Sequence, residues 1–458
     1  MSRNTSDADR DDRTDQHPTN QRGPSGSATR TSRRKILATL GVIGGTALAG
    51  CAGSSPSDEG TMEPTMTETD EPTMAPTEEP TATPEPMGNP DVPILNYALT
   101  LEHLENAFYR EGLNEFSDDE LMGADSLSKF GETVRMDVPE YLRVAGEHEA
   151  AHVAAISDTI EQLGGTPVAE AEYDFGYGTP SEFLATAQAL ENTGVAAYAG
   201  AAPKVVNNDI LAAAAGIHSV EARHAAFLNL VNDDAPFPNA VDEASSVQEV
   251  LDIAGGFITS EVDASAITRS DDMEVPTPDR KADDGTSDVD VLNYALTLEH
   301  LENAFYREGL ETFSDDELMN ASVLSDYDDA LKMKVPGHLA MAGEHEAAHV
   351  SAIADTVEQL GGTPVEEAEY DFGYETASEF LGVAQALENT GVAAYKGAAP
   401  SVSADAVFSA AIGIHSVEAR HASFLNELNV ESPFPVAVDE PMTMAEVQDV
   451  AGQFIVEQ

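Results

Sequence analysis

Four times in this 458-residue chain a glutamate stands three residues before a histidine: Glu149–His152, Glu221–His224, Glu346–His349 and Glu418–His421. Positions i and i+3 share one face of an α-helix, so each carboxylate and its imidazole point the same way. Around the first pair the stripe is apolar, with Leu142, Ala145, Ile156, Ile160 and Leu163 at helical spacing. A carboxylate buried on such a stripe costs several kcal/mol unless it is paired, protonated or bound to a cation. The chain must therefore bring helices together around these groups and neutralise them there.

The four pairs belong to two copies of one unit. Asp91–Val262 and Asp288–Gln458 align at a constant offset of 197 positions, and the run Tyr97 to Tyr109 returns unchanged as Tyr294 to Tyr306. A period this long signals tandem domains, not a solenoid of short repeats. The stretch 263–287 between them is polar and contains Pro276 and Pro278. It reads as a linker with little to bury, so cleavage there is expected to leave two helical fragments that fold separately.

Each copy reads as all-α with five helical segments, in the first copy about 91–113, 138–163, 180–202, 208–231 and 245–260. Pro139 suits a first turn, Gly164-Gly165 a left-handed C-terminal cap, and Thr179-Pro180-Ser181-Glu182 a capped N-terminus. If the second and third segments run parallel, their connection must span about 39 Å. Its sixteen residues, Gly164 to Thr179, can stretch to roughly 53 Å. The expected architecture is two four-helix bundles, each with one long crossover and a C-terminal fifth helix.

The third segment carries Glu191 on a stripe with Leu184, Ala187, Val195 and Tyr198, and the first offers Glu102 and Glu105. Tyr109 follows Glu102 by seven positions, as Tyr198 follows Glu191. Seven residues make two turns, so each tyrosine is expected to stand over its own glutamate. The matched spacing favours Glu102 as a ligand and Glu105 as its neighbour. The expected donors are Glu102, Glu149, His152, Glu191, Glu221 and His224, with Glu299, Glu346, His349, Glu388, Glu418 and His421 in the second copy. Two helices giving Glu and two giving Glu-x-x-His is the pattern of di-iron and di-manganese carboxylate bundles. Four carboxylates and two neutral imidazoles balance two divalent cations, and oxygen-rich ligation without thiolate suits iron or manganese, two ions per repeat. His148 and His218 are expected to orient ligands or lie on a helix surface, and His103 to be solvated. Arg223 is free to pair with a carboxylate.

These motifs, twice over in one chain, resemble the ferritin-like superfamily, and most closely its extracytoplasmic ferritin-like proteins, which include desiccation-related proteins. The resemblance implies a dinuclear site bridged by Glu149 and Glu221, with oxidase, peroxidase or catalase chemistry, and does not choose among these. A non-catalytic cell-surface or envelope-stress module with empty or structural sites is the alternative.

The rest of the chain bears on where such a protein works. Arg33-Arg34 precede a short apolar run that ends Leu48-Ala49-Gly50-Cys51, and Cys51 is the one cysteine. This reads as a twin-arginine export signal, 1–50, followed by a lipid-accepting cysteine. A Thr/Pro/Glu-rich spacer, 51–90, cannot build a core. The expected location is the outer face of the cell membrane, anchored by lipid on Cys51. The formal net charge of −61 points to a high-salt, halophilic archaeal setting, where self-repulsion is screened. It leaves no basic patch for nucleic acid. The electron donor and any protein partner are not specified by these features.

Overall fold

The computed structural model describes residues 88–269, 276–278, 280 and 285–456. The export segment, Cys51 and nearly all of the spacer lie outside the described residues. Repeat 1 contributes α1 (Val92–Glu115), α2 (Glu132–Gln162), α3 (Pro180–Ala201), α4 (Asn208–Val231) and α5 (Val247–Ala254). Repeat 2 contributes α6 (Asp288–Thr312), α7 (Val335–Gln359), α8 (Ala377–Ala398), α9 (Asp405–Leu428) and α10 (Met444–Ala451). Shorter helical turns lie between them. No helix among the described residues is long and apolar enough to cross a membrane.

In each repeat the first four helices form a bundle. Val92 lies beside Gly165 and Tyr109 beside Gly146, so α1 and α2 run antiparallel. Asn232 at the end of α4 donates to Leu184 O at 3.0 Å near the start of α3, so that pair is antiparallel too. Phe183 packs beside Gly112 and Tyr198 reaches Glu102, which sets α3 against α1. Hence α2 and α3 are parallel, and the expected long crossover joins them. It leaves α2 through Gly164, whose φ of 77° suits a residue without Cβ. It then climbs along α1. Asn96 accepts from Val168 N at 2.9 Å, Arg110 pairs with Glu170 at 2.7 Å, and Phe175 meets the Phe108 ring edge-on at 5.2 Å.

Helix α2 begins six residues earlier than its sequence suggests, and Pro139 lies inside it rather than in its first turn. A proline there forgoes one bond, to the carbonyl of Arg135. Val134 and Val138, both buried on the same stripe, carry the helix past it. In repeat 2 the chain breaks instead, and Pro336 occupies the first turn of α7.

The repeats do not stand apart as the polar linker suggested. In α4, residues 215–231 are all buried, and in α9, residues 412–428. A helix on the outside of a lone bundle shows one face to water; here the second face is covered by the other repeat. Val195, Ala222 and Ala225 meet Val392, Ala419 and Ala422 in a seam of small side chains. The helices approach closely enough for Ser423 Oγ to donate to Arg223 O at 3.0 Å. His218, expected to orient ligands or face solvent, is instead buried in this interface, its ring 5.8 Å from that of His415. Even within 263–287, Ile267 and Arg280 are buried. Arg280 donates to Val402 O and to Pro203 O, both at 3.2 Å, and so ties one repeat to the other.

The interface is nearly but not fully symmetric. Lys396, buried in α8, donates to Asp439 O, whereas the corresponding residue of α3 is Ala199. Glu427 stands where repeat 1 has Leu230. It is bracketed by Tyr327 of its own repeat, whose hydroxyl lies 3.2 Å from Glu427 Oε1, and by Tyr141 of the other. Burial, with Asp137 adding, lifts its carboxyl to about 7 against the two hydroxyls. The folded value exceeds the unfolded one, so the native state holds the proton more tightly. Its contribution is intact below about pH 4.5 and is lost as pH rises through about 7. Glu427→Gln should therefore unfold like the parent near pH 4.5 and be roughly 3 kcal/mol more stable at pH 8. Denaturant melts at the two pH values check this. A difference that does not change with pH would refute it.

Candidate metal centre

Antiparallel packing brings the four apolar stripes of repeat 1 to one level of the bundle. Glu102 comes from α1, Glu149 and His152 from α2, Glu191 from α3, and Glu221 and His224 from α4. All six are essentially without solvent exposure. They form two overlapping groups, Glu102, Glu149, His152 and Glu221, and Glu149, Glu191, Glu221 and His224. Within each group, ligand atoms lie within 4.8 Å of one another, close enough to hold a metal ion. Glu149 and Glu221 belong to both. Repeat 2 reproduces the pair of groups with Glu299, Glu346, His349, Glu388, Glu418 and His421.

The donors suit a cation better than they suit one another. His152 Nδ1 has Glu102 Oε2 and Glu149 Oε2 at 3.1 Å and Glu221 Oε1 at 3.2 Å. One N–H cannot serve three acceptors. Ligands about 2.1 Å from an ion sit roughly 3 Å apart, which is the separation seen. Both oxygens of Glu221, and Oε1 of Glu149, are buried without an aligned hydrogen bond, as are their counterparts in Glu418 and Glu346. Such orphaned acceptors are costly to keep unless something cationic meets them.

Protons occupy this role when the cluster has no other cation. Burial, with Glu149, Glu191 and Glu102 adding, raises the Glu221 carboxyl far above the usual range. Burial also lifts Glu102 to about 7, against the neighbouring His152. Burial would raise Glu149 likewise, but His152 and His224 outweigh it and hold this carboxyl low. Burial disfavours charge on His224, yet Glu191 and Glu149 bring it up to about 9. The cluster thus stores protons that divalent ions would displace, so loading should release protons and weaken as pH falls.

The two tyrosines hold glutamates, but not those expected. Tyr109 of α1 donates to Glu191 of α3, and Tyr198 of α3 donates to Glu102 of α1. Because α1 and α3 run antiparallel, two turns along one helix arrive level with the glutamate of the other. In repeat 2, Tyr306 donates to Glu388 at 2.5 Å and Tyr395 to Glu299. His148 Nδ1 lies 3.1 Å from His224 Nε2 and so orients that ring. His103 is half-buried and lies 3.2 Å from Val168 O on the crossover. Glu105 is buried but outside both groups. Burial and then Glu221, Glu191, Glu149 and Glu102 raise its carboxyl, so it faces the same cluster. A Cβ on Gly194 would come within 3.1 Å of Glu105 Oε1 and 3.2 Å of Glu221 Oε2. Glycine there leaves both carboxylates room that a larger residue would take by a few tenths of an ångström.

Residues that local spacing did not reveal come from the other repeat. His152 Nε2 lies 2.6 Å from Ala437 O, and the Phe434 ring stands edge-on to His224, centroids 4.6 Å apart. Arg223 pairs at 2.8 Å with Asp439, also of repeat 2. The available signal was the Pro-Phe-Pro run repeated at 236–238 and 433–435, an apolar and aromatic insertion where a plain loop would be polar.

A helical bundle with one long crossover, turning four glutamates and two histidines toward its interior, defines a class of protein whose buried donors could hold metal ions. The chain belongs to the ferritin-like domain family, which matches residues 90–233 and 287–431, once in each repeat. No curated protein shows a significant match to it.

Proposed function

We propose that this chain is an exported, lipid-anchored protein whose repeats each hold two iron or manganese ions and act on dioxygen or peroxide. The observation that carries this reading is that Glu149 and Glu221 are shared by both donor groups of repeat 1, as Glu346 and Glu418 are in repeat 2. Shared carboxylates are what two adjacent cations require. Glu149 and Glu221 would serve both positions, with Glu102 and His152 completing one donor group and Glu191 and His224 the other. Glu299, Glu388, His349 and His421 take the corresponding roles in repeat 2.

Redox-active ions held there would supply electrons and Lewis acidity to a small oxidant. The protein's own groups do the rest. The hydroxyls of Tyr198 and Tyr109 fix one oxygen of each terminal carboxylate and so set its orientation. His148 does the same for the His224 ring. Full burial of all six donors keeps bulk water from competing with the oxidant. Metal analysis of protein purified from its native host, with turnover of peroxide and dioxygen, tests the reading. Protein without iron or manganese, whose melting does not change on adding either, would instead support a non-catalytic surface module.

The anchor is part of the same proposal and rests on Arg33-Arg34 and the single Cys51. Cys51→Ser should move the protein from the membrane fraction to the soluble fraction in high salt. Retention in the membrane would refute the lipid.

A further inference from the structure

A histidine that binds a cation through Nδ1 must carry its remaining proton on Nε2, and a buried Nε2–H needs an acceptor. Nδ1 of His152 faces three carboxylates. Its Nε2 finds its acceptor in the other half of the molecule, the carbonyl of Ala437 at 2.6 Å. The converse holds in repeat 2, where His349 Nε2 lies 2.5 Å from Ala240 O. We infer that each dimetal centre is completed in trans: the loop after α9 positions the ligands of repeat 1, and the loop after α4 those of repeat 2.

Each loop is fastened to the half it serves. Asp439 pairs with Arg223 at 2.8 Å, and its N–H donates to Gly216 O at 3.2 Å. Asp242 pairs with Arg420 at 2.7 Å, and its N–H donates to Gly413 O at 3.1 Å. Phe434 stands edge-on to His224 with centroids 4.6 Å apart, and Phe237 stands in the same way to His421 at the same distance. Carbonyl, aspartate and phenylalanine all occur twice with the halves exchanged. That reciprocity is the signature of an isologous contact between two copies. The salt bridges lock the loop, the loop presents the carbonyl, and the carbonyl sets the proton and the plane of His152 or His349. The phenylalanine fills the space behind the second histidine of the same centre, whose own Nε2 is held from within its repeat by His148 or His345.

This inference rests on the metal reading, and its test separates the two. The full chain is prepared with one centre disabled, by His349→Ala and His421→Ala or by His152→Ala and His224→Ala. The loop of repeat 2 is then altered conservatively by Phe434→Leu and Asp439→Asn. Manganese(II) affinity is measured against a competing chelator. The remaining centre of repeat 1 should weaken about ten- to a hundred-fold, the usual effect of removing an outer partner of a ligand. The centre of repeat 2 should be unchanged. Phe237→Leu with Asp242→Asn should give the opposite pattern. Unchanged constants, equal losses at both centres, or loss confined to the altered loop's own repeat would each overturn the assignment. A parent protein that takes up neither manganese(II) nor iron(II) counts against the metal reading alone. The metal-free protein then still decides the contact. By NMR, the His152 Nε2 proton should exchange slowly in the parent and rapidly in the Phe434→Leu, Asp439→Asn variant, and equal exchange in both would overturn it.

Discussion

Alanine at both His152 and His224 should lower bound iron or manganese from about four ions per chain to about two. The residual metal should reside in repeat 2. Each donor group of repeat 1 contains one imidazole, so the double substitution removes a donor from both cation positions and leaves the carboxylates behind. Those carboxylates also lose the positive partners that hold Glu149 low in the metal-free protein, so burial will drive them to take up protons instead. Peroxide or dioxygen turnover should fall with metal content. Glu102→Gln should cost more metal than Glu105→Gln, because Glu102 lies within the donor group and Glu105 only beside it. Full loading of the double variant, measured by elemental analysis after dialysis, would remove these histidines from the site. Equal effects at Glu102 and Glu105 would remove the distinction between them.

A single repeat made alone, 285–456, should not behave as a well-packed monomer. Residues 412–428 of α9 are buried without interruption, and much of that burial is supplied by α4, Val195 and the loop of repeat 1. Without them the Ala419 and Ala422 face meets water and His349 Nε2 loses Ala240 O. The surface is self-complementary, so the fragment should pair with a second copy of itself. Sedimentation should report a dimer, and melting should rise with protein concentration. A monomer that melts cooperatively, at one temperature across a wide concentration range, would show that each bundle is self-sufficient.

Much of this arrangement is legible in the order of residues, because helices write their buried faces at a fixed period. The stripe through Leu142, Glu149, His152 and Ile156 places α2 and the inward face of its Glu149 and His152 directly. The length of 164–179 is enough to suggest the crossover. What escapes is whatever depends on how two helices face each other. The pairing of Tyr109 with Glu191 follows from the antiparallel register of α1 and α3, which no single segment records. The burial of His218 follows from the seam between repeats, and a polar stretch at 263–287 conceals that seam. Pro139 reads as a helix start until the burial of Val134 and Val138 is known. Ala437 is the extreme case, since its contribution is a backbone carbonyl carrying no side-chain signature at all.

Lys396 opposite Ala199, and Glu427 opposite Leu230, have a meaning beyond packing. In a pair of identical subunits, any change made on one side of the axis is made on the other. Joining the halves on one polypeptide lifts that constraint, so the two sides can drift toward separate tasks while remaining partners. It also makes their encounter indifferent to dilution, because neither half can diffuse away from the other. A tandem chain of this kind keeps the geometry of a dimer and gains the freedom of a heterodimer.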